Sequence, residues 1–336
     1  MGKNFSPAKL VKDFIGQAGE EGDFSELAIR VFRHQAENCP VYREFLELLK
    51  IDPKKINDPE KIPFLPISFF RSHRVECEPV TPSPLIFESS GTTGQNISRH
   101  FVSDPDVYEL SLSEGFKIFA GDPKNFIFLS LLPGYLERGN SSLVYMINHL
   151  MKKGGNDESG FYLNNFRELA EKLITLEKSG KKIILFGVSY ALLRFSEQFP
   201  IPLKNTMVVE TGGMKGMEKE MVREELHGIL SERFKLKGIS SEYGMTELFS
   251  QAWSAEGGIF KTPPWMRVLI RDPETPNDYI HAPGKTGGIN VIDLANVNSC
   301  SFIATMDLGR LEKPGGFEVM GRYDNSDLRG CNLLAV

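Results

Sequence analysis

The chain has 336 residues, of which 41% are hydrophobic, 25% charged and 10% aromatic, the make-up of a globular protein large enough to bury a core without staples. Lys and Arg number 39 against 44 Asp and Glu, a net charge of −5, which excludes the strongly basic balance of a general nucleic-acid binder. No run approaches the ~18 apolar residues of a membrane span, and Met1 to Pro7 lacks the apolar stretch of a signal peptide.

Cysteines stand at 39, 77, 300 and 331, with no C-x-x-C pair and no metal-ligand spacing. Such scattered thiols point to a reducing, cytoplasmic setting rather than a disulfide framework. The six histidines include no H-x-x-x-H pair, which excludes a zincin-type site.

In chain order, the first 80 residues read as helical. Asp23 with Glu26 makes a capping-box pattern ahead of Phe24, Leu27, Ala28, Val31 and Phe32 at helical spacing. A second helix starts at Pro40, with Val41, Phe45, Leu48 and Leu49 expected on its inner face. Prolines from 53 to 84 then give an irregular passage into Leu85-Ile86-Phe87 and a glycine-rich turn.

Strands and helices alternate from there. The apolar run 126–132 predicts a strand buried on both faces. Helices follow from Ser141 to Lys153 and from Phe166 to Ser179, stopped by Gly154-Gly155 and Gly180. Further strands are expected at 183–186 and 207–209, with helices at 190–198 and 217–234. Short apolar stretches near 266–270, 288–292, 302–305 and 317–320 lie among Gly, Pro and Asp turns, the texture of a smaller antiparallel region. The class is α/β.

Three segments carry chemistry. Ser89-Ser90-Gly91-Thr92-Thr93-Gly94 follows a strand and is rich in free N–H and O–H donors, suited to wrapping a polyphosphate, though it matches neither a Walker A loop nor G-x-G-x-x-G; a plain surface turn is the alternative. Glu210-Thr211-Gly212-Gly213 closes an apolar strand, the place where open α/β sheets bind ligands. Glu242-Tyr243-Gly244-Met245-Thr246-Glu247 displays an aromatic ring, a hydroxyl and a carboxylate, a set able to stack a base and hold a metal ion, or equally to start a helix.

The order and spacing of these segments resemble the adenylate-forming superfamily of acyl- and aryl-CoA ligases and luciferases. Thr305-Met306-Asp307-Leu308-Gly309 is similar to its T-G-D-x-G segment, with Met306 in place of Gly. Gly321-Arg322-Tyr323-Asp324 with Leu328-Arg329-Gly330 is similar to its hinge motif. Within that superfamily the chain resembles the acyl-protein synthetase (long-chain-fatty-acid–luciferin-component ligase) family, through Glu210 to Gly216 and an end six residues after Gly330.

The fold so implied is the N-terminal large domain of adenylate-forming enzymes: mixed β-sheets layered with helices, a small β-rich subdomain, and most of the usual C-terminal domain lacking. The expected domains are a helical region at 1–80, a nucleotide- and acyl-binding core at 81–255, a β-rich subdomain at 256–320 and a hinge-like tail at 321–336.

The activity implied is ATP-dependent activation of a fatty or other carboxylic acid as an acyl-adenylate. Transfer to the protein's own cysteine and delivery to an acyl reductase partner would follow. ATP and Mg²⁺ are the implied cofactors. By the resemblance, Ser90, Gly91, Thr92, Thr93 and Gly94 hold the terminal phosphates, Thr246 contacts the α-phosphate and Glu247 ligates Mg²⁺. Gly212, Gly213, Tyr243 and Gly244 border the adenine, Asp307 accepts from the ribose hydroxyls, and Arg322 contacts ribose or phosphate.

Cys331 is the candidate acyl acceptor, since a free thiol with a pKa of ~8.5 is partly ionised near neutrality and Arg329 favours the thiolate. Cys300 is the fallback. The superfamily's loop lysine is missing, so Arg99 could supply that charge, and Lys215 is the candidate cation for the first step. Three other readings stay open. One uses coenzyme A as the acceptor. Another is a non-catalytic nucleotide-binding subunit that regulates a reductase. The last is an α/β-hydrolase, from Gly187-Val188-Ser189-Tyr190-Ala191 with Asp278 and His281 following in order.

Overall fold

The computed structural model describes residues 7–17, 21–77, 85–89, 97–133, 139–212, 221–276, 278–313 and 315–322. The chain divides into two compact units. The first joins Met1–Thr81 to Pro264–Val336, and the second is Pro82–Pro263.

The first unit opens with helices α1 (Pro7–Gly16), α2 (Glu21–Asn38) and α3 (Pro40–Leu48), then a short strand β1 (Leu65–Pro66) and a single turn α4 (Phe69–Ser72). Helix α2 buries Phe24, Leu27, Ala28, Val31 and Phe32, the stripe that its spacing predicts. The Asp23 side chain of the expected capping box lies outside the described residues. Pro40 stands at the start of α3, where its missing N–H costs nothing.

The inner face of α3 differs from the expected one. Tyr42 and Leu46 are buried, whereas Leu48 and Leu49 are 76% and 49% exposed. Tyr42 sets this rotation: its ring stacks on Phe302, its edge meets Phe32, and its hydroxyl donates to the Pro63 carbonyl. The helix then ends at Leu48, and Lys50 in a left-handed conformation (φ 56°) turns the chain away.

The second unit begins with the hairpin β2 (Leu85–Glu88) and β3 (Arg99–Val102), followed by α5 (Pro105–Ala120). The main run is β4 (Phe126–Leu131), α6 (Ser142–Gly154), β5 (Gly160–Tyr162), α7 (Phe166–Ser179), β6 (Lys182–Val188), α8 (Ser189–Gln198), β7 (Thr206–Thr211), α9 (Arg223–Phe234) and β8 (Ser240–Tyr243). Strands β9 (Ala252–Ser254) and β10 (Ile259–Phe260) complete it. Ser141 caps α6 by accepting from the Val144 N–H, while Gly155 and Gly180 end α6 and α7 in left-handed conformations.

The strands of the large sheet run in the order β5-β4-β6-β7-β8-β9, parallel from β5 to β8 and antiparallel at β9. Every residue of β4 is buried, as a strand covered on both faces requires. The carboxyl ends of β6, β7 and β8 therefore lie side by side, with Val188 paired to Thr211 and Thr211 to Glu242.

The first unit resumes with β11 (Met266–Arg271), β12 (Thr286–Asp293), β13 (Phe302–Leu311) and β14 (Phe317–Arg322), an antiparallel run in the order β14-β13-β12-β11. The helices before residue 81 and the strands β11 to β14 share this unit, whereas β10 at 259–260 belongs to the second. Strand β1 pairs in parallel with β13, and the buried Gln35 of α2 donates to the carbonyls of Asn296 and Val297 while accepting from Ser301 N–H. A buried amide with its hydrogen bonds met locks the helix to the sheet.

Candidate functional site

Within the second unit, the carboxyl end of β7 presents Glu210, Thr211 and Gly212. Gly212 has φ +68°, and among the described residues no atom beyond its chain neighbours lies within 4 Å of where a Cβ would stand. A left-handed backbone bare of side chain lets a ligand approach closely. The Ser189 hydroxyl at the start of α8 reaches both Glu210 Oε1 and the Gly212 carbonyl, tying the β6 end to the β7 turn. Glu210 Oε2 also faces Arg223 Nε and His227 Nε2 of α9, each at 3.8 Å, and His227 Nε2 is 3.2 Å from Ser241 Oγ.

These contacts give Ser189 a structural task. It is 2% exposed and faces a carboxylate and a carbonyl, whereas a hydrolase nucleophile needs a histidine base. His281 is instead 3.5 Å from Glu60.

The carboxyl end of β8 runs into Tyr243 and Gly244. Buried Glu242 accepts a hydrogen bond from the Thr211 hydroxyl on the neighbouring strand. Burial, reinforced by the charge of Glu210 and opposed by the Thr211 hydrogen bond, pushes its carboxyl up to about 7. A Cβ on Gly244 would stand 2.3 Å from Glu242 Oε1 and 3.2 Å from Gln251 Cγ, so any side chain here requires the Glu242 carboxyl group to shift. The Tyr243 ring lies 5.9 Å from that of Phe260.

The following turn is closed by Leu248 N–H to the Met245 carbonyl. It is also held from outside: His100 Nδ1 of β3 is 2.9 Å from the Thr246 carbonyl. A carbonyl only accepts, so Nδ1 carries the proton. Burial lowers the His100 pKa to about 4, leaving a neutral ring that packs 4.7 Å from Phe249. Thr246 is half-buried and Glu247 buried.

In the first unit, Asp307 of β13 pairs with Arg322 of β14 across the ladder, Arg322 Nε lying 3.1 Å from Asp307 Oδ1. The carboxylate is largely buried and the guanidinium exposed, at 9% and 74%. The Asp307 N–H donates to Thr305 Oγ1, whose hydroxyl donates to the Ile289 carbonyl. Arg271 reaches the carbonyls of Ile289 and Thr305 and the side chain of Asn290, binding three strands behind Asp307. A Cβ on Gly309 would meet the Glu318 carbonyl at 2.6 Å, which accounts for the glycine of the Thr305–Gly309 segment.

Among the sequence-derived site residues, Gly212, Tyr243, Gly244, Thr246 and Glu247 gather at the carboxyl ends of β7 and β8, and Asp307 meets Arg322. Ser90, Gly91, Thr92, Thr93, Gly94, Gly213, Lys215 and Cys331 lie outside the described residues. Arg99, offered as a substitute cation, is the cross-strand partner of Glu88 at 3.1 Å. Cys300 is fully buried, and that burial pushes its thiol pKa well up, which removes it as an acceptor. Glu242 stands in a segment singled out from the sequence but has no role of its own there, and His100 and Arg271 are not singled out, because their roles rest on strand register and distant contacts.

Among the described residues no cluster of three or more His, Cys, Asp or Glu is arranged to hold a metal ion, and no helix is long and apolar enough to cross a membrane.

The family model described as "Acyl-protein synthetase, LuxE" matches residues 141–335. No curated protein matches the sequence. Among solved structures, an open conformation of 2-hydroxyisobutyryl-CoA ligase in complex with 2-HIB-AMP and CoA matches with a TM-score of 0.68 at 11% identity, over 88% of this chain and 73% of that one. The luciferase-like enzyme of the nonluminescent mealworm Zophobas morio matches at 0.51 and 16% identity, over 82% and 62%. O-succinylbenzoate coenzyme A synthetase from Bacillus subtilis, in complex with ATP and magnesium, matches at 0.50 and 17% identity, over 70% and 49%. At these identities the likeness shows the fold, the N-terminal domain of adenylate-forming enzymes spanning most of the chain.

Proposed function

The chain belongs to the acyl-protein synthetase (LuxE) family, and from that premise we propose that it activates a carboxylic acid with ATP and passes the acyl group to a thiol of its own, Cys331. The family match over residues 141–335 carries this reading. The fold shared with ligases solved with acyl-adenylates, ATP or magnesium supports it.

In the first step a substrate carboxylate oxygen attacks the α-phosphorus of ATP. The bond from that phosphorus to the bridging oxygen breaks, and pyrophosphate leaves. In the second, the Cys331 thiolate attacks the acyl carbonyl, a thioester forms and AMP leaves with the bonding electron pair. Both steps gather negative charge, so neutralisation and preorganised donors are the main demand.

The residues suit such a ligand. Gly212 offers a bare left-handed backbone, and the glycine at 244 leaves no side chain over the turn. Tyr243, Gly244 and Gly213 border the adenine, Thr246 contacts the α-phosphate, and Ser90 to Gly94 wrap the terminal phosphates. Asp307 takes the ribose hydroxyls and Arg322 a ribose or phosphate oxygen. The carboxylate of buried Glu247, with no further acidic cluster among the described residues, fits Mg²⁺, which is commonly held by one or two carboxylates plus substrate phosphates. Mg²⁺ bound there supplies charge neutralisation at the phosphates. Lys215 is the cation for the first step.

Coenzyme A as acceptor is the second reading, supported by the fold likeness to CoA ligases. A protein-bound thioester is the form that an acyl reductase partner would consume. Intact mass after incubation with ATP, Mg²⁺ and a panel of fatty acids separates the readings. The proposal expects a gain of one acyl group that neutral hydroxylamine removes and Cys331→Ala abolishes. Thioester formation on coenzyme A with no protein adduct would replace it with the second reading.

A further inference from the structure

The carboxyl ends of β7 and β8 are joined by one side chain that the reaction steps above do not use. Glu242 Oε2 accepts from the Thr211 hydroxyl, and Oε1 occupies the place where a side chain at Gly244 would begin. Thr211 immediately precedes the left-handed Gly212, so the carboxyl group spans both ligand-facing turns. We propose that Glu242 in its protonated form is the strut that sets the Gly212 and Gly244 turns, and that nucleotide binding at this edge weakens when Glu242 ionises. The ligand's identity in this proposal rests on the function proposed above.

The surroundings favour the neutral form. Glu242 is 8% exposed. On β7 the nearby charge is the carboxylate of Glu210; Arg223 and His227 of α9 face that carboxylate at 3.8 Å each. The antiparallel partner of Glu242 on β9 is Trp253, which brings no charge, and the turn beyond contributes Gln251 beside Gly244. Burial and the Glu210 charge push the Glu242 carboxyl up to about 7 against the hydrogen bond from Thr211. Ionisation would leave a buried charge with one donor among the described residues, and the least costly relief is movement of the turn it packs against.

Glu242 is thus a positioning residue, acting through two glycine turns. The test is calorimetric titration of the full-length protein with ATP and Mg²⁺ at about pH 6 and about pH 8.5, for wild type and for Glu242→Gln, which keeps the shape but cannot ionise. With only the protonated fraction competent, wild-type affinity falls about tenfold or more over this range beyond any change shared with the variant. The variant lacks that extra fall. An equal pH dependence in the two proteins would overturn the proposal.

Thermal unfolding of the ligand-free proteins supplies the independent arm. An acid with a raised folded pKa stabilises most at low pH, and that contribution is lost as pH rises from about 4.5 to about 7. The difference in Tm between wild type and Glu242→Gln should therefore move against wild type across that window. A constant difference would overturn the strut. If wild type binds no ATP at any pH while this difference still moves, the ligand reading fails and the strut stands.

Discussion

At the scale of single residues, two glycines at adjacent strand ends are required for different reasons. Gly244 is sterically confined by Glu242 Oε1, whereas Gly212 meets no described atom but has a left-handed backbone. Gly244→Ala should cost about 1–3 kcal/mol through overpacking. Gly212→Ala should cost about 1 kcal/mol through backbone strain. Urea unfolding distinguishes the two causes when Glu242→Ala is added. The loss at position 244 should shrink below the sum of the single losses by more than the loss at 212, whose backbone strain remains when the Glu242 carboxyl group is removed.

His100 gives a pH prediction of opposite sign to that of Glu242. Its folded pKa of about 4 lies below the ordinary 6.5, so the unfolded chain takes up a proton first on acidification. The stabilisation is full above about pH 6.5 and is lost as pH falls toward about 4. Relative to wild type, a His100→Asn variant should therefore gain stability as pH drops through that window. Parallel stability curves would contradict the neutral, buried ring.

At the scale of elements, the β2–β3 hairpin and the 245–248 turn are joined through the His100 to Thr246 hydrogen bond, across 146 positions of sequence. Removing the ring with His100→Ala should raise amide hydrogen exchange over residues 244–249 while leaving β12 and β13 unchanged. Uniform exchange changes would mean general destabilisation instead. Arg271 plays a similar part in the first unit, where its guanidinium binds three strands behind Asp307.

This is also the scale at which the sequence was most and least informative. Apolar runs at 126–132 and 183–186 and the stops at Gly155 and Gly180 could be read directly, since both signals are local. The inner face of α3 was misjudged because four apolar residues competed for it, and Tyr42 won through partners in β13 and at Pro63. Of the candidate site, the glycine turns and the separate segments that carry Asp307, Arg322 and Glu242 are legible as motifs. The pairing of Asp307 with Arg322, the contact of Glu242 with Thr211, and the parts of Arg271 and His100 are not. Their meaning comes from register, as in the pairing of Thr211 with Glu242, or from contacts that no spacing rule encodes.

At the scale of the whole molecule, the two units are built differently along the chain. Pro82–Pro263 is continuous and holds its own sheet, while the other unit needs both ends of the sequence. A fragment of residues 82–263 should therefore unfold cooperatively by itself, as measured by circular dichroism on heating. A fragment of residues 1–81 lacks β11 to β14 and should show no cooperative transition. Cooperative unfolding of that shorter piece would contradict the shared unit.

Family membership, the fold and the glycine-edged strand ends converge on adenylation of a carboxylic acid. The most direct test of that claim is carboxylate-dependent exchange of labelled pyrophosphate into ATP in the presence of Mg²⁺, which reads the first step without reference to any thiol acceptor. Exchange that requires a fatty or related acid, persists in Cys331→Ala and is lost in Glu247→Gln is the predicted result. No exchange with any acid, or release of ADP and phosphate in place of AMP and pyrophosphate, would contradict the account.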